Sequence, residues 1–200
     1  SDLASFSGAG DTVPGSARAV ADRQIGRGIN APLTSARGRL CDAASAVLGV
    51  HRGPQYEGQA AMELEALAGR RAGVALPLPL DTGGTVWQLD PLPMLAALGE
   101  RQRAGEDVAQ LAADFHASII AASATLAAAC CERFGIDTVA LGGGTFQNAR
   151  LATGLPAALG ARGLRMLTAR DLSPNDGGVS YGQAAVDTAQ KLLQTPWLNG

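Results

Sequence analysis

The hydrophobic positions of the chain recur at helical spacing over most of its length and form short continuous runs elsewhere. In "TSARGRLCDAASAVLGV" the apolar side chains lie three and four positions apart, which predicts a helix with Thr34 or Ser35 as its N-cap. The longest such segment is the alanine-rich "EDVAQLAADFHASIIAASATLAAACCER", which Gly135 closes. The predicted helices are residues 34–50, 59–71, 91–105 and 106–134.

The remaining hydrophobic runs have the length of strands. "VALPLPLDTGGTVWQLD", residues 74–90, predicts a β-hairpin with a Gly-Gly turn, and its prolines favour an edge or a bent strand. Residues 137–193 alternate strand, helix, strand and helix, which predicts parallel strands joined by crossovers. We therefore expect an α/β domain over residues 34–195, with a mixed sheet and flanking helices. Residues 1–33 are rich in Gly, Ser and Pro and are expected to form a linker with a short helix near residues 17–27.

The composition is that of a globular protein. Hydrophobic residues make up 46% of the 200 residues, and the net charge of −2 gives no electrostatic footprint for nucleic acid. The cysteines, Cys41, Cys130 and Cys131, have neither a disulfide framework nor zinc-site spacing, which favours a reducing, cytoplasmic compartment. No apolar run of about 18 residues without charge or glycine predicts a membrane span. The chain begins at Ser1 and lacks a signal-peptide pattern, which suggests a piece of a longer protein.

Three consecutive glycines stand where the strand at residues 137–141 ends and a helix is expected to begin. Gly142, Gly143 and Gly144 let the backbone turn with positive φ and let a phosphate approach without meeting a Cβ. The helix start that follows offers unpaired amides to an anion. A tight turn without a ligand explains the same glycines about as well.

A second polar loop, "SPNDGGVSYGQ", follows the next strand and opens the last helix. Because ligands of parallel sheets bind beyond the carboxyl ends of the strands, we expect both loops to line one cleft. Asp176 in the second loop is either an N-cap or a carboxylate that holds a divalent metal beside the phosphates.

Four motifs, in order and at compatible spacing, resemble the C-terminal region of the HypF carbamoyltransferases of [NiFe]-hydrogenase maturation. They are "PLTSARGRLCDAASAVLGV", "YEGQAAMELEALA", "LGGGTFQNARL" and "SPNDGGVSYGQA". The resemblance implies the second lobe of an actin-like, sugar-kinase-like ATPase fold, similar to the TsaD proteins. It also implies an enzyme that makes carbamoyl adenylate from carbamoyl phosphate and ATP. The carbamoyl group then passes to the C-terminal cysteine of the partner HypE, where it becomes the cyanide ligand of the hydrogenase iron.

The resemblance also implies roles for individual residues. Asp176 would be a metal ligand, Asn148 would hydrogen-bond the nucleotide, and Gly142–Gly144 would pass beside its phosphate. Asp42 would contact the nucleoside, and Gly58 would lie in the neighbouring loop of the same pocket. A carboxylate such as Asp42 can accept both hydroxyls of a ribose, although a solvated helix residue is the alternative for this position.

The chain departs from the family pattern at the metal site. Family members supply further metal ligands from a His-x-x-x-His pair on the other lobe, whereas the histidines of this chain are His51 and His116, which we expect to be structural or surface residues. Fe, Zn and Mg all stay open as the metal, because one carboxylate does not select among them. The first lobe and the other family domains are also missing, so we expect the chain alone to be catalytically incomplete.

Two other functions are compatible with the same motifs. An antibiotic O-carbamoyltransferase would share this lobe and modify a sugar hydroxyl in place of a thiol. A non-catalytic module would keep the lobe for docking or for a homodimer through the long alanine-rich helix. No nucleic acid and no membrane is expected as a partner.

Overall fold

The computed structural model describes residues 15–32, 34–50 and 55–194, with side chains as far as residue 191, and contains helices and short strands in mixed order. The helices are α1 (Gly15–Arg27), α2 (Arg37–Val47), α3 (Gln59–Ala68), α4 (Leu92–Arg103), α5 (Val108–Phe134), α6 (Ala149–Gly160) and α7 (Val179–Gln194). The strands are β1 (Leu80–Asp81), β2 (Gln88–Leu89), β3 (Thr138–Leu141) and β4 (Arg165–Thr168). Two 3₁₀-helices, Gly144–Gln147 and Asp176–Gly178, follow β3 and β4.

The long helix α5 forms the centre of the core. The side chain of Asp107 accepts a hydrogen bond from the amide of Ala109 at its start, and Gly135 ends it in the left-handed conformation with φ of 64°. Leu111, Phe115 and Ile119 lie on its buried face. α3, α4 and α6 pack around it, so the predicted alanine-rich helix is confirmed as an internal element of the domain.

α5 is also the helix, among the residues that the structure describes, whose length and mean hydropathy of 1.4 would allow it to cross a membrane. More than half of that apolar segment, 56%, is buried inside the fold. It also contains the buried polar side chains of Asp114, His116 and Ser118, each of which has a hydrogen-bond partner. These partners and the surrounding helices identify α5 as a core helix.

An extended segment before β1, residues 71–79, lies directly on α5. The amide of Val74 donates a hydrogen bond to Asp114 Oδ1 (2.8 Å), and the amide of Leu76 donates to Ser118 Oγ (2.8 Å). At Gly73 the backbones approach so closely that a Cβ would lie 2.2 Å from the carbonyl oxygen of Ala113. This segment pairs with no strand in the part of the chain that the structure describes, and the side chains of Asp114 and Ser118 supply acceptors for two of its amides.

The predicted mixed sheet is wrong for the described residues, which form two separate two-stranded sheets. β1 and β2 pair antiparallel, with Leu80 opposite Leu89. β3 and β4 pair parallel, with Val139 opposite Met166. The predicted hairpin and the predicted parallel pair are therefore confirmed, but the two do not join. Pro77 and Pro79 lack the amides that would extend the first strand into a wider sheet.

Several predicted boundaries shift. α2 begins at Arg37, and Ala36 is its N-cap without a side-chain bond; the hydroxyl of Thr34 instead accepts from the amide of Ala36 (3.1 Å). The short helix predicted near residues 17–27 is α1, which buries no side chain. Residues 1–14 of the predicted linker lie outside the described residues.

Candidate functional site

The two polar loops predicted to share one edge of the sheet are in direct contact. The amide of Gly143 donates a hydrogen bond to the carbonyl oxygen of Pro174 (2.6 Å), which ties the loop after β3 to the loop after β4. Gly143 has φ of 94°, a conformation that L side chains rarely adopt. The expectation that these loops meet is therefore confirmed, and the contact is made through the backbone of the glycine loop.

Gly142 and Gly144 have ordinary backbone conformations and open surroundings. A Cβ at Gly144 would meet nothing within 4 Å, and one at Gly142 would approach only the oxygen of Pro174, at 3.9 Å. Neither turn geometry nor packing among the described residues therefore requires glycine at these two positions. That a phosphate approaches the backbone at these glycines stays a prediction.

Asp176 opens the 3₁₀-helix of the second loop, and its side chain is exposed. The N-cap role that was the alternative for Asp176 belongs to Asn175, whose side chain accepts from the amide of Gly177 (3.0 Å). Gly178 packs so closely that a Cβ would lie 2.8 Å from the oxygen of Ser173. The loop thus leaves the Asp176 side chain exposed and does not use it for capping.

Asp176 could supply one carboxylate ligand to a hard cation such as Mg²⁺, and one ligand is not enough to hold the ion. Within residues 15–32, 34–50 and 55–194 no three His, Cys, Asp or Glu side chains are close enough together to hold a metal ion. Asp176 could supply one carboxylate oxygen to a cation, and further ligands would have to come from elsewhere. His51 lies outside the described residues.

Asn148 is the N-cap of α6. Its Oδ1 accepts a hydrogen bond from the amide of Leu151 (3.1 Å), and its Nδ2 lies 3.1 Å from Nε2 of His116. The side chain is half-buried and follows directly on the 3₁₀-helix that begins at Gly144. That Asn148 hydrogen-bonds a nucleotide stays a prediction.

The start of α6 is not the open anion site that the sequence suggests. A 3₁₀-helix separates the glycines from α6, and the amide of Ala149 already donates to Glu65 Oε1 (2.7 Å). Arg150, the next residue, donates to the carbonyl oxygens of Gly69 and Arg71. The amides that stay available for an anion are those at the start of the 3₁₀-helix, where no intrahelical acceptor exists.

A polar cavity of about 310 Å³ lies where the loop before α3 meets α2. Gly58, with φ of 81°, turns the chain into α3 at its rim, and Asp42 lines it from α2. Asp42 and Gly58 therefore lie together, as predicted, while Gly142–Gly144, Asn148 and Asp176 are not among its lining residues. That this cavity takes a nucleoside stays a prediction. The lining residues are Arg39, Asp42, Gln55, Tyr56, Glu57 and Gly58.

The carboxylate of Asp42 has unused bonding capacity. Its Oδ2 lies 3.0 Å from Nη1 of Arg39, close enough for an ion pair. The contact lacks the direction of a hydrogen bond, and Oδ2 has no hydrogen-bond partner among the described residues. A buried carboxylate oxygen without a donor is costly, and the hydroxyl of a bound molecule could supply one. Burial raises the pKa of the thiol of the neighbouring Cys41 to about 11, which favours its protonated form at neutral pH.

His116 is a structural residue, which is one of the two alternatives that the sequence left open, but sequence reasoning missed the contacts that His116 and Glu65 make. His116 is buried, 2% exposed, and its two ring nitrogens contact Ala112 and Asn148. Burial is the largest cause that lowers the pKa of His116; the positive charge of Arg150 acts in the same direction, whereas the bond to Ala112 and the charge of Glu65 oppose it. The contacts to Asn148 and to Ala149 span 32 and 84 positions, so no local pattern could have shown them.

The free energy of unfolding is expected to fall as the pH drops below the ordinary histidine pKa of 6.5. Because the native pKa of His116 is lowered, the unfolded chain binds a proton first, and stability is lost from pH 6.5 down through the lowered native pKa. Urea unfolding between about pH 8 and pH 5 measures this, with His116→Gln as the control that lacks the group. The pKa values of Glu106 and Asp137 are also lowered. These two groups therefore change the free energy of unfolding only near and below their ordinary pKa values of 4.5 and 3.8, outside this pH range. If the free energy of unfolding of the wild type depended on pH no more than that of His116→Gln, the lowered pKa of His116 would be contradicted.

The sequence also matches a family profile. Residues 6–183 match the family described as "Carbamoyltransferase, Kae1-like Domain, second subdomain". The chain belongs to the HypF carbamoyltransferase family. It is 41% identical over 191 residues to carbamoyltransferase HypF2 of Cupriavidus necator. This match covers 82% of this chain and 23% of that protein. It is also 41% identical over 191 residues to carbamoyltransferase HypF of Rhodobacter capsulatus, with 94% of this chain and 24% of that protein covered.

A solved HypF structure has the same fold. Full-length HypF in its phosphate- and nucleotide-bound form matches 98% of this chain and 25% of its own chain, with a TM-score of 0.86 and 30% identity. The α/β fold of the present chain is therefore that of the Kae1-like part of HypF. The chain spans about a quarter of the length of these relatives.

Proposed function

We propose that this chain is the nucleotide-binding second lobe of a HypF-type carbamoyltransferase, built on the actin-like, sugar-kinase-like ATPase fold. The observation that carries the proposal is the hydrogen bond between Gly143 and Pro174, which brings the open glycine loop and the Asp176 loop to one edge of β3 and β4. Membership of the HypF family supports it, as does the structural match to a HypF that was solved with phosphate and nucleotide.

The proposed activity is that of a carbamoyltransferase in [NiFe]-hydrogenase maturation. Carbamoyl phosphate, ATP and water would give carbamoyl adenylate, phosphate and pyrophosphate. The thiolate of the C-terminal cysteine of HypE would then attack the carbamoyl carbon of the adenylate. The bond to the adenylate oxygen breaks, a carbon–sulfur bond forms and AMP leaves. The relatives' name supports carbamoyl transfer, whereas HypE, the adenylate and the cyanide product rest on the resemblance alone.

The residues of this chain would bind and orient the nucleotide. The 3₁₀-helix amides that follow Gly143 face the phosphates, and Gly142 and Gly144 leave room for them. Asp176 would supply one carboxylate ligand to a divalent cation, and such a cation would neutralise charge on the phosphates. Asp42 would offer Oδ2, which accepts no hydrogen bond from the described residues and forms an ion pair with Arg39, to the hydroxyls of a ribose.

The chain would be catalytically incomplete without a partner lobe. One carboxylate cannot hold a catalytic metal ion alone, and the described residues offer no cluster that completes the site. The remaining ligands are expected on the other lobe of the complete protein, which we place in the cytoplasm. α5 packs against α3, α4 and α6 within its own domain, and a homodimer through its remaining surface stays a prediction.

Replacing Gly144 by alanine tests the phosphate role without a cost in folding. The added Cβ meets nothing within 4 Å, so the thermal stability is expected to stay unchanged. If a phosphate lies against this backbone, ATP affinity is expected to fall about tenfold or more, because the methyl group occupies its place. Gly182→Ala in α7 is the matched control, since a Cβ there also meets nothing. Calorimetric titration with ATP and Mg²⁺ measures both, and equal affinities for the two variants would contradict the proposal.

A further inference from the structure

His116 is a buried histidine whose tautomer is set by its surroundings. Its Nδ1 lies 2.7 Å from the carbonyl oxygen of Ala112, one turn earlier in α5. A carbonyl oxygen can only accept, so Nδ1 carries the hydrogen and donates it. In the neutral ring Nε2 is then an acceptor, and it points at Asn148.

The amide of Asn148 is oriented by two bonds that agree with each other. Nδ2 donates to His116 Nε2 (3.1 Å), and Oδ1 accepts from the backbone amide of Leu151 (3.1 Å). Exchanging the oxygen and the nitrogen would put two acceptors together at His116 and two donors together at Leu151. The observed orientation leaves one Nδ2 hydrogen and one Oδ1 lone pair for a ligand.

We propose that His116 is a positioning residue: in its neutral, Nδ1-protonated form it fixes the Asn148 amide beside the glycine loop, and protonation of its Nε2 releases that amide. The proposal rests on the proposed function in one respect, namely that the ligand of Asn148 is a nucleotide. The orientation of the amide by His116 does not depend on what binds there.

Protonation would place two donors face to face. A hydrogen on Nε2 opposes the Nδ2 hydrogen of Asn148, so the amide must rotate or withdraw, and the cap on Leu151 is disturbed as well. The charged groups that act on the ring are Glu65 from α3 and Arg150 from α6. Phe115, which meets the ring edge-on at 5.4 Å, carries no charge. Burial and Arg150 favour the neutral ring, which keeps the amide fixed at neutral pH.

Nitrogen NMR of the wild-type chain tests the positioning without any substitution. We expect Nδ1 of His116 to be protonated and Nε2 to be unprotonated at neutral pH. On acidification the side-chain amide signals of Asn148 should move with the same midpoint as the His116 ring. An Nε2-protonated tautomer, or Asn148 signals that ignore the His116 titration, would overturn the proposal. A histidine that merely fills space in the core would give this second result.

ATP titration of variants tests the link to binding. From about pH 7.5 down to about one pH unit below the His116 midpoint that NMR gives, the wild type should lose ATP affinity about fivefold more than His116→Gln, which has no proton to gain. Because the phosphates of ATP titrate in this range too, only the difference between the proteins counts. Asn148→Ala should remove the same difference while the His116 ring still titrates. Equal pH dependence in wild type and His116→Gln would overturn the link, whereas absence of ATP binding at every pH would contradict the proposed function and leave the NMR result to decide the positioning.

Discussion

Replacing Gly73 by alanine is expected to lower the free energy of unfolding by about 3 kcal/mol, or to prevent folding altogether. The added Cβ would lie 2.2 Å from the oxygen and 2.5 Å from the carbon of the Ala113 carbonyl group, both of which are backbone atoms of α5. A flexible side chain could move aside, but the middle of a packed helix cannot. The extended segment would have to leave α5 and lose its hydrogen bonds to Asp114 and Ser118.

Urea unfolding followed by circular dichroism measures this effect, with Gly38→Ala as the matched control. Gly38 lies on the exposed side of α2, and a Cβ there meets nothing within 4 Å. Its replacement is expected to be neutral or to stabilise the chain by about 0.5 to 1 kcal/mol, since alanine restricts the unfolded chain. If Gly73→Ala and Gly38→Ala unfold at the same urea concentration, the close approach of the segment to α5 is wrong.

Replacing Asp114 by alanine is expected to cost about 3 kcal/mol or more, because a buried charged network loses its centre. The carboxylate is 1% exposed and accepts from three donors: Arg101 Nη1 (2.7 Å), the amide of Val74 (2.8 Å) and Gln110 Nε2 (2.9 Å). Without it the Val74 amide loses its acceptor, and the contact between the extended segment and α5 is weakened.

Glu106→Gln is the control for this substitution. Glu106 pairs with the same Arg101 (2.7 Å) but is exposed to solvent, so its loss should change stability little. Thermal unfolding of both variants distinguishes a buried network from a surface ion pair. Equal and small losses for Asp114→Ala and Glu106→Gln would show that the Asp114 network does not anchor the segment.

The sequence predicts most helices because their apolar spacing is local. α2, α3, α4 and α5 all appear close to their predicted bounds, and Gly135 ends α5 as a helix-terminating glycine should. The mixed sheet was wrong because strand partners are chosen by tertiary contacts. The segment that would have widened the sheet instead bonds to Asp114 and Ser118 of α5, about 40 positions away.

In the candidate site, too, the sequence predicts the local features and misses the contacts between distant residues. Glycines at the end of a strand and a carboxylate in the next loop are local signals, and the bond between Gly143 and Pro174 confirms that the two loops meet. The partners of the α6 start, Glu65 and His116, come from α3 and α5 and leave no trace in the local pattern. Such partners determine which amides stay free to bind an anion. The sequence therefore predicted the anion site at the start of α6, whereas the free amides lie at the start of the preceding 3₁₀-helix.

The most direct test of the central claim is whether Mg²⁺ strengthens ATP binding through Asp176. Titration of the chain with ATP, with and without Mg²⁺, should give tighter binding with the metal in the wild type and in Asp171→Asn, an exposed aspartate of equal charge that lies earlier in the chain. In Asp176→Asn that gain should be lost. An equal gain from Mg²⁺ in all three proteins, or no ATP binding in the wild type, would contradict a shared nucleotide and cation site at the ends of β3 and β4.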